Sequence, residues 1–241
     1  MVKNYETRYT CLMRNGIEGA AFDLDGTLYP NYRLNIRLLP FILKEWRLLS
    51  AFGKSRKIIR AEQENSSLPS GDFYKYQTDI IAKILSVEPR PLQEKIDRLI
   101  YKGWEPLFKK VKLYKDAAET LFALRKAGCK LGLLSDFPPE TKLEYLNLNG
   151  FWDAVLCSER YNALKPSPLP FEKLSEAMSL PCEKILYVGN SRAYDVAGAA
   201  RAGMKTAWIK SAFFPGRGLK KPKPDFVFNN YRQLYDFMIH Y

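Results

Sequence analysis

Short apolar runs recur along the chain and end in small or acidic residues. Ala20-Ala21-Phe22 leads into Asp23, and Leu131-Gly132-Leu133-Leu134 leads into Ser135. Further runs lie at Ala154–Cys157, Ile185–Gly189, Lys205–Ile209 and Phe226–Phe228. They do not alternate with polar residues, which predicts strands covered on both faces. Helical patterns separate them. Ala117, Leu121 and Leu124 share a face, Asp116 stands where an N-cap belongs and Gly128 where a C′ glycine belongs. Pro138-Pro139 is expected to open a helix closed by Gly150, and residues 171–179 and 193–202 read as two more. Strand–helix–strand order from residue 113 onward predicts a parallel sheet with helices on both sides, an α/β doubly wound, Rossmann-like core.

Residues 31–112 carry a different pattern. Leu39, Leu43, Trp46 and Leu49 space as one helix face, and Tyr76, Ile80, Ile81, Ile84 and Leu85 as a second. Leu92, Ile96, Leu99 and Ile100 form a third, and Trp104, Leu107, Phe108 and Val111 a short fourth. The expected division is an α/β core from residues 1–30 and 113–241 with an inserted α-helical cap domain at 31–112.

Composition narrows the function. The 241 residues are 46% hydrophobic and 27% charged, which excludes disorder as the main state. No apolar stretch reaches the roughly 18 residues of a membrane span, and the first residues show no secretory h-region. Cys11, Cys129, Cys157 and Cys182 are scattered without a CxxC pair, as in a reduced, cytoplasmic protein. His240 is the only histidine, so acid–base chemistry falls to carboxylates, lysines or a metal. Residues 31–112 hold 17 Lys/Arg against 9 Asp/Glu, a balance of +8 out of a net +12. The basic segment Arg33, Arg37, Lys44, Arg47, Lys54, Arg56, Lys57 and Arg60 is either a solvated surface or a device that steers an anionic substrate. The stretch Gly216–Pro224 reads as a basic loop.

Candidate chemistry gathers at the strand ends, where open α/β sheets bind ligands. The first strand runs into Asp23 and Asp25, with Gly26 permitting a sharp turn beside a phosphate. One carboxylate can attack phosphorus while the other handles protons. Two close carboxylates need a cation, and magnesium suits oxygen ligands and phosphoryl transfer. Ser135 can donate to a phosphate oxygen, Lys165 supplies fixed positive charge, and Asn190 and Asp195 close the metal site.

The segments FDLDGTL at 22–28, LLSD at 133–136, LKPSP at 164–168 and VGNSRAYDVAGAARAGM at 188–204 resemble the four motifs of the haloacid-dehalogenase-like (HAD) hydrolase superfamily, in its helical-cap (C1-type) phosphatase branch. The resemblance implies a nucleophile at Asp23 and a general acid/base at Asp25. It implies Mg2+ held by Asp23, the backbone carbonyl of Asp25 and the fourth motif, with Ser135 and Lys165 on the phosphoryl group. The family usually has aspartate where this chain has Asn190, whose amide oxygen can still ligate magnesium. Asp195 is expected to bind through water or to hold the site in shape. The family often has asparagine at the position of Asp136, so only the backbone N–H of Asp136 is expected to face phosphate.

Only 29 residues separate Ser135 from Lys165, whereas about 90 separate Asp25 from Asp116, which places the cap after the first motif. The implied function is a magnesium-dependent phosphatase acting on a small phosphorylated metabolite through an aspartyl-phosphate. A hexose-phosphate mutase shares this scaffold. A 2-haloacid dehalogenase lacks the carboxylate at the position of Asp25. A non-catalytic anion- or nucleic-acid-binding relative is the reading from another class; the intact motif residues oppose it, and nucleic acid is not an expected partner.

Overall fold

The computed structural model describes residues 16–65, 71–210 and 222–239. The N-terminal stretch, Cys11, His240 and most of the 216–224 loop lie outside them.

Six parallel strands form one sheet: β1 (Gly19–Phe22), β2 (Lys130–Ser135), β3 (Ala154–Cys157), β4 (Ile185–Gly189), β5 (Lys205–Ile209) and β6 (Phe226–Phe228). Their order is β3-β2-β1-β4-β5-β6. This is the doubly wound Rossmann order, which reverses direction between β1 and β4 and opens a crevice at their carboxyl ends. Side chains alternate across the sheet. Phe22, Leu131, Leu133 and Val188 pack on one face with α5 (Ala117–Lys126), α6 (Glu140–Tyr145) and α9 (Tyr231–Ile239). Ala21, Leu134 and Tyr187 pack on the other with α7 (Leu169–Met178) and α8 (Ala197–Arg201). Burial on both faces explains why the runs read as continuously apolar.

Between β1 and α5 the chain is helical: α1 (Asn31–Lys44), α2 (Trp46–Asn65), α3 (Phe73–Leu85) and α4 (Pro89–Ile96), then a 3₁₀ segment at Glu105–Lys110. Asp72 caps α3 by accepting the N–H of Tyr74 at 3.0 Å, and Pro89 opens α4 where its missing N–H costs nothing. Leu48, Ala51 and Phe52 of α2 meet Ile81 and Ala82 of α3 and Leu92 and Ile96 of α4 in a separate apolar cluster.

Several expectations need correction. Leu39, Leu43 and Trp46 are 54%, 71% and 63% exposed, while Leu34 and Leu38 are buried. The helix stops at Glu45, so the periodicity that links Leu39 to Leu49 crosses a break. The helix after Pro139 ends at Tyr145, short of Gly150. Asp116 precedes α5 in a left-handed conformation and makes no side-chain cap. The helix expected at 193–202 begins as a wide π turn over Arg192–Val196.

Ile81 is fully buried at the centre of the α2–α4 cluster. Ile81→Ala is expected to cost about 2–5 kcal/mol. Hydrogen exchange should quicken in α2–α4 and stay unchanged in β1, β2 and β4; uniform loosening of the sheet would contradict a separate cluster.

Candidate active site

β1 delivers Asp23 to the crevice, where its backbone N–H donates to the Val188 carbonyl at 2.9 Å. The carboxylate is 5% exposed. Its Oδ1 accepts from Lys165 Nζ at 2.7 Å, and its Oδ2 from Thr27 Oγ1 at 2.7 Å. Lys165, 3% exposed, also donates to Asp195 Oδ1 at 2.7 Å. Asp195 Oδ2 accepts the Ser191 N–H at 2.8 Å. The ammonium therefore binds two buried carboxylates at once. Gly189 makes this possible: a Cβ there would lie 2.3 Å from the Cβ of Asp195. Burial pushes the Asp23 carboxyl up to about 7; Lys165 pulls it down, and Asp195 and Asp25 raise it again.

Asp25 is more open. Lys142 Nζ donates to both its oxygens, at 2.9 and 2.7 Å, and the Tyr29 hydroxyl donates to Oδ1. Burial would raise its pKa, but the Lys142 ammonium and these hydrogen bonds outweigh burial and hold it below the usual carboxylate value. Gly26 turns the chain at φ 89°, and a Cβ there would sit 1.9 Å from Asn190 Nδ2. Only glycine lets that amide approach.

Asn190 donates through Nδ2 to the Asp25 carbonyl at 3.2 Å, so the amide nitrogen rather than the expected oxygen faces this position. A half-turn of the amide presents Oδ1 instead. The hard oxygen donors available to a cation are the Asp23 carboxylate, the Asp25 carbonyl and that amide oxygen. Such a sparse set fits magnesium, which keeps several waters and shares substrate oxygens, better than it fits a caged metal. No cluster of three His, Cys, Asp or Glu side chains suited to a metal occurs among the described residues. Asp195 accepts on both oxygens, from Lys165 and from the Ser191 N–H, as Asp23 does from Lys165 and Thr27.

Ser135 ends β2 fully buried, and its Oγ accepts the Phe137 N–H at 3.1 Å; its own proton can still be donated. The Asp136 side chain turns toward the helices. It accepts from Ser158 Oγ at 2.5 Å, the Lys165 N–H at 3.1 Å and Arg60 Nη2 at 2.7 Å. Arg56 Nη2 stands 3.4 Å away, and its Nη1 pairs with buried Glu159. Arg60 also donates to the Lys165 carbonyl at 2.7 Å. Arg56 and Arg60 belong to the basic segment, and both are bound into the contact between α2 and the sheet.

Sequence reasoning missed Thr27, Tyr29, Lys142 and this arginine pair. Thr27 and Tyr29 lie in or beside the first motif. Lys142 carries no local signal, since α6 alone brings it to Asp25.

A sequence profile described as haloacid dehalogenase-like hydrolase matches residues 17–203. The chain belongs to that family. It is 26% identical to a glyceraldehyde 3-phosphate phosphatase of Methanopyrus kandleri, covering 91% of this chain and 96% of the relative. It is 25% identical to a phosphoglycolate phosphatase of Salmonella paratyphi A, covering 90% and 91%. Among solved structures, an L-2-haloacid dehalogenase shares the fold with a TM-score of 0.64 at 20% identity, covering 92% of this chain and 98% of the other. No described helix of this HAD-like hydrolase is long and apolar enough to cross a membrane.

The two arginines, with Lys165, hold the Asp136 carboxyl well below the usual 3.8 against the opposing effect of burial. A depressed native pKa gives stability that is present above the unfolded value and lost as pH falls toward the native one. Asp136→Asn should therefore cost about 3 kcal/mol at neutral pH. In denaturant melts the gap to wild type should narrow below about pH 3.8; a gap that stays constant on acidification would contradict the ionic role.

Proposed function

We propose that this hydrolase is a magnesium-dependent phosphatase that cleaves a small phosphate monoester by transferring the phosphoryl group to Asp23. The observation that carries the reading is the pairing of a buried carboxylate, held by Lys165 and Thr27, with a second carboxylate two residues on. The phosphatase names of the two sequence relatives support it.

Lys165 and Thr27 fix the Asp23 carboxylate and limit its rotation, so an oxygen faces the crevice in a constant direction. That oxygen attacks phosphorus while the bond from phosphorus to the alcohol oxygen breaks. Ser135 and the Lys165 ammonium offset charge on the phosphoryl oxygens, and the backbone N–H of Asp136 is assigned to the same group. Asp25 gives its proton to the departing alcohol oxygen. It then takes a proton from water as that water attacks phosphorus and releases Asp23. Both carboxyl groups end as they began.

Asp25 is held ionised by Lys142, the state suited to activating water. A phosphate dianion beside it pulls the other way and favours the protonated state that the first step needs. Asp23, the Asp25 carbonyl and the amide oxygen of Asn190 would hold magnesium. When bound, the ion supplies positive charge that offsets the phosphoryl oxygens.

Asp23→Asn is expected to lower turnover more than about a hundredfold, with an unchanged circular dichroism spectrum. A folded variant that keeps more than that removes Asp23 as nucleophile. Asp25→Asn should slow alkyl phosphates far more than para-nitrophenyl phosphate in single-turnover phosphorylation, because nitrophenolate leaves without a proton. Equal losses on both esters would leave Asp25 a structural part only.

A further inference from the structure

The strongest unassigned feature is a cavity of about 590 Å³ between α1, α2 and the carboxyl ends of the strands. Its volume falls in the range of about 300–1,000 Å³ typical of small-molecule sites. Asp25 and Lys142 stand at one end. The rest of the wall is largely apolar, formed in part by Leu38, Ile42, Trp46 and Trp104, with Asn31, Asn35, Ser50 and Glu105 the further polar residues among its lining. The two cations that line it are already paired, Lys142 with Asp25 and Arg56 with Glu159. Trp104 carries a buried indole N–H without a partner.

A two- or three-carbon alcohol bearing a carboxylate or hydroxyls would fill little of this space. Its polar groups would give up water mostly for aromatic and aliphatic walls, where Asn31, Asn35, Ser50 and Glu105 are the few further polar side chains, and burial without replacement hydrogen bonds is unfavourable. An apolar alcohol loses nothing by the same transfer.

We propose that the cavity receives the alcohol part of the substrate, and that this part is a bulky apolar group, aromatic or long-chain. The substrate class is thus a phosphate monoester of an apolar alcohol rather than of glycolate or a triose. The proposal rests on the phosphatase reading of Asp23, because it makes the cavity the leaving-group side of that site.

The test uses the whole protein with magnesium and a series of n-alkyl phosphates from ethyl to decyl, below their micelle concentrations. Their leaving alcohols are similarly basic, so chain length reports burial rather than chemistry. Calorimetric binding of the matching n-alkylphosphonates, which cannot be hydrolysed at that bond, runs beside it. Both kcat/KM and affinity should rise about three- to fourfold per methylene and then level off as the cavity fills. Gly53 lines the cavity, and a Cβ there would meet nothing within 4 Å. Gly53→Leu should fold, since leucine favours the helix, and the levelling should come at a shorter chain.

Flat or falling dependence in both assays overturns the proposal, as does an identical profile in folded Gly53→Leu. Phosphonate affinity that climbs with chain length while no ester is hydrolysed supports the cavity's role and overturns the phosphatase reading instead. Hydrolysis of short polar phosphates without any gain from chain length does the reverse.

Discussion

One ammonium between two buried carboxylates organises the catalytic end of this fold. Lys165 reaches Asp23 from one side and Asp195 from the other, each at 2.7 Å. None of the three charges could stay buried alone at an acceptable cost. Together they fix the ends of β1 and β4 and the loop before α7 around a common point. The close approach at Gly189, where a Cβ would collide with Asp195, belongs to the same constraint. Asp23 gains its direction from this arrangement, and its elevated proton affinity from the burial that the arrangement requires.

A second ionic group joins the helices to that centre. Asp136 follows Ser135 directly, and its carboxylate is held by Arg60 of α2 and by the N–H of Lys165. Arg60 in turn donates to the Lys165 carbonyl and stacks 4.2 Å from the Tyr194 ring. The same short stretch of α2 thus touches three of the segments that bear motif residues. This gives a physical reason for a carboxylate next to Ser135: it pairs with cations of the helical segment. It also pairs Arg56 and Arg60 with carboxylates instead of leaving them as solvated surface charge.

The sheet could be read from sequence because its strands are buried on both sides and end abruptly at Asp23, Ser135 and Gly189. The candidate site residues Asp23, Asp25, Ser135, Lys165, Asn190 and Asp195 lie at or after strand ends, so they emerge from the same pattern. The structure brings them to neighbouring strand and loop ends, although Lys165 lies far from Asp23 along the chain. Side chains whose work depends on how helices dock were not legible. Lys142 sits on a short helix whose local sequence gives no hint of Asp25. Arg56 and Arg60 look like solvated charge until α2 is laid against the sheet. Tyr29, four residues after Asp25, carries no sequence signal for the hydroxyl that it places on that carboxylate. The buried face of α1 differs from the expected one because one residue, Glu45, separates two helices and resets the periodicity.

The central claim is that phosphorus is transferred to one named oxygen-bearing side chain. Borohydride reduces an acyl phosphate to the alcohol, so enzyme quenched during turnover and reduced should carry homoserine at position 23. Peptide mass spectrometry should find this change at Asp23, dependent on substrate and absent at Asp25 and Asp195. An unmodified Asp23 in enzyme that is turning over substrate, with the phosphoryl-enzyme known to be the slower-decaying species, would contradict the assignment. Reduction at another carboxylate would contradict it more directly still.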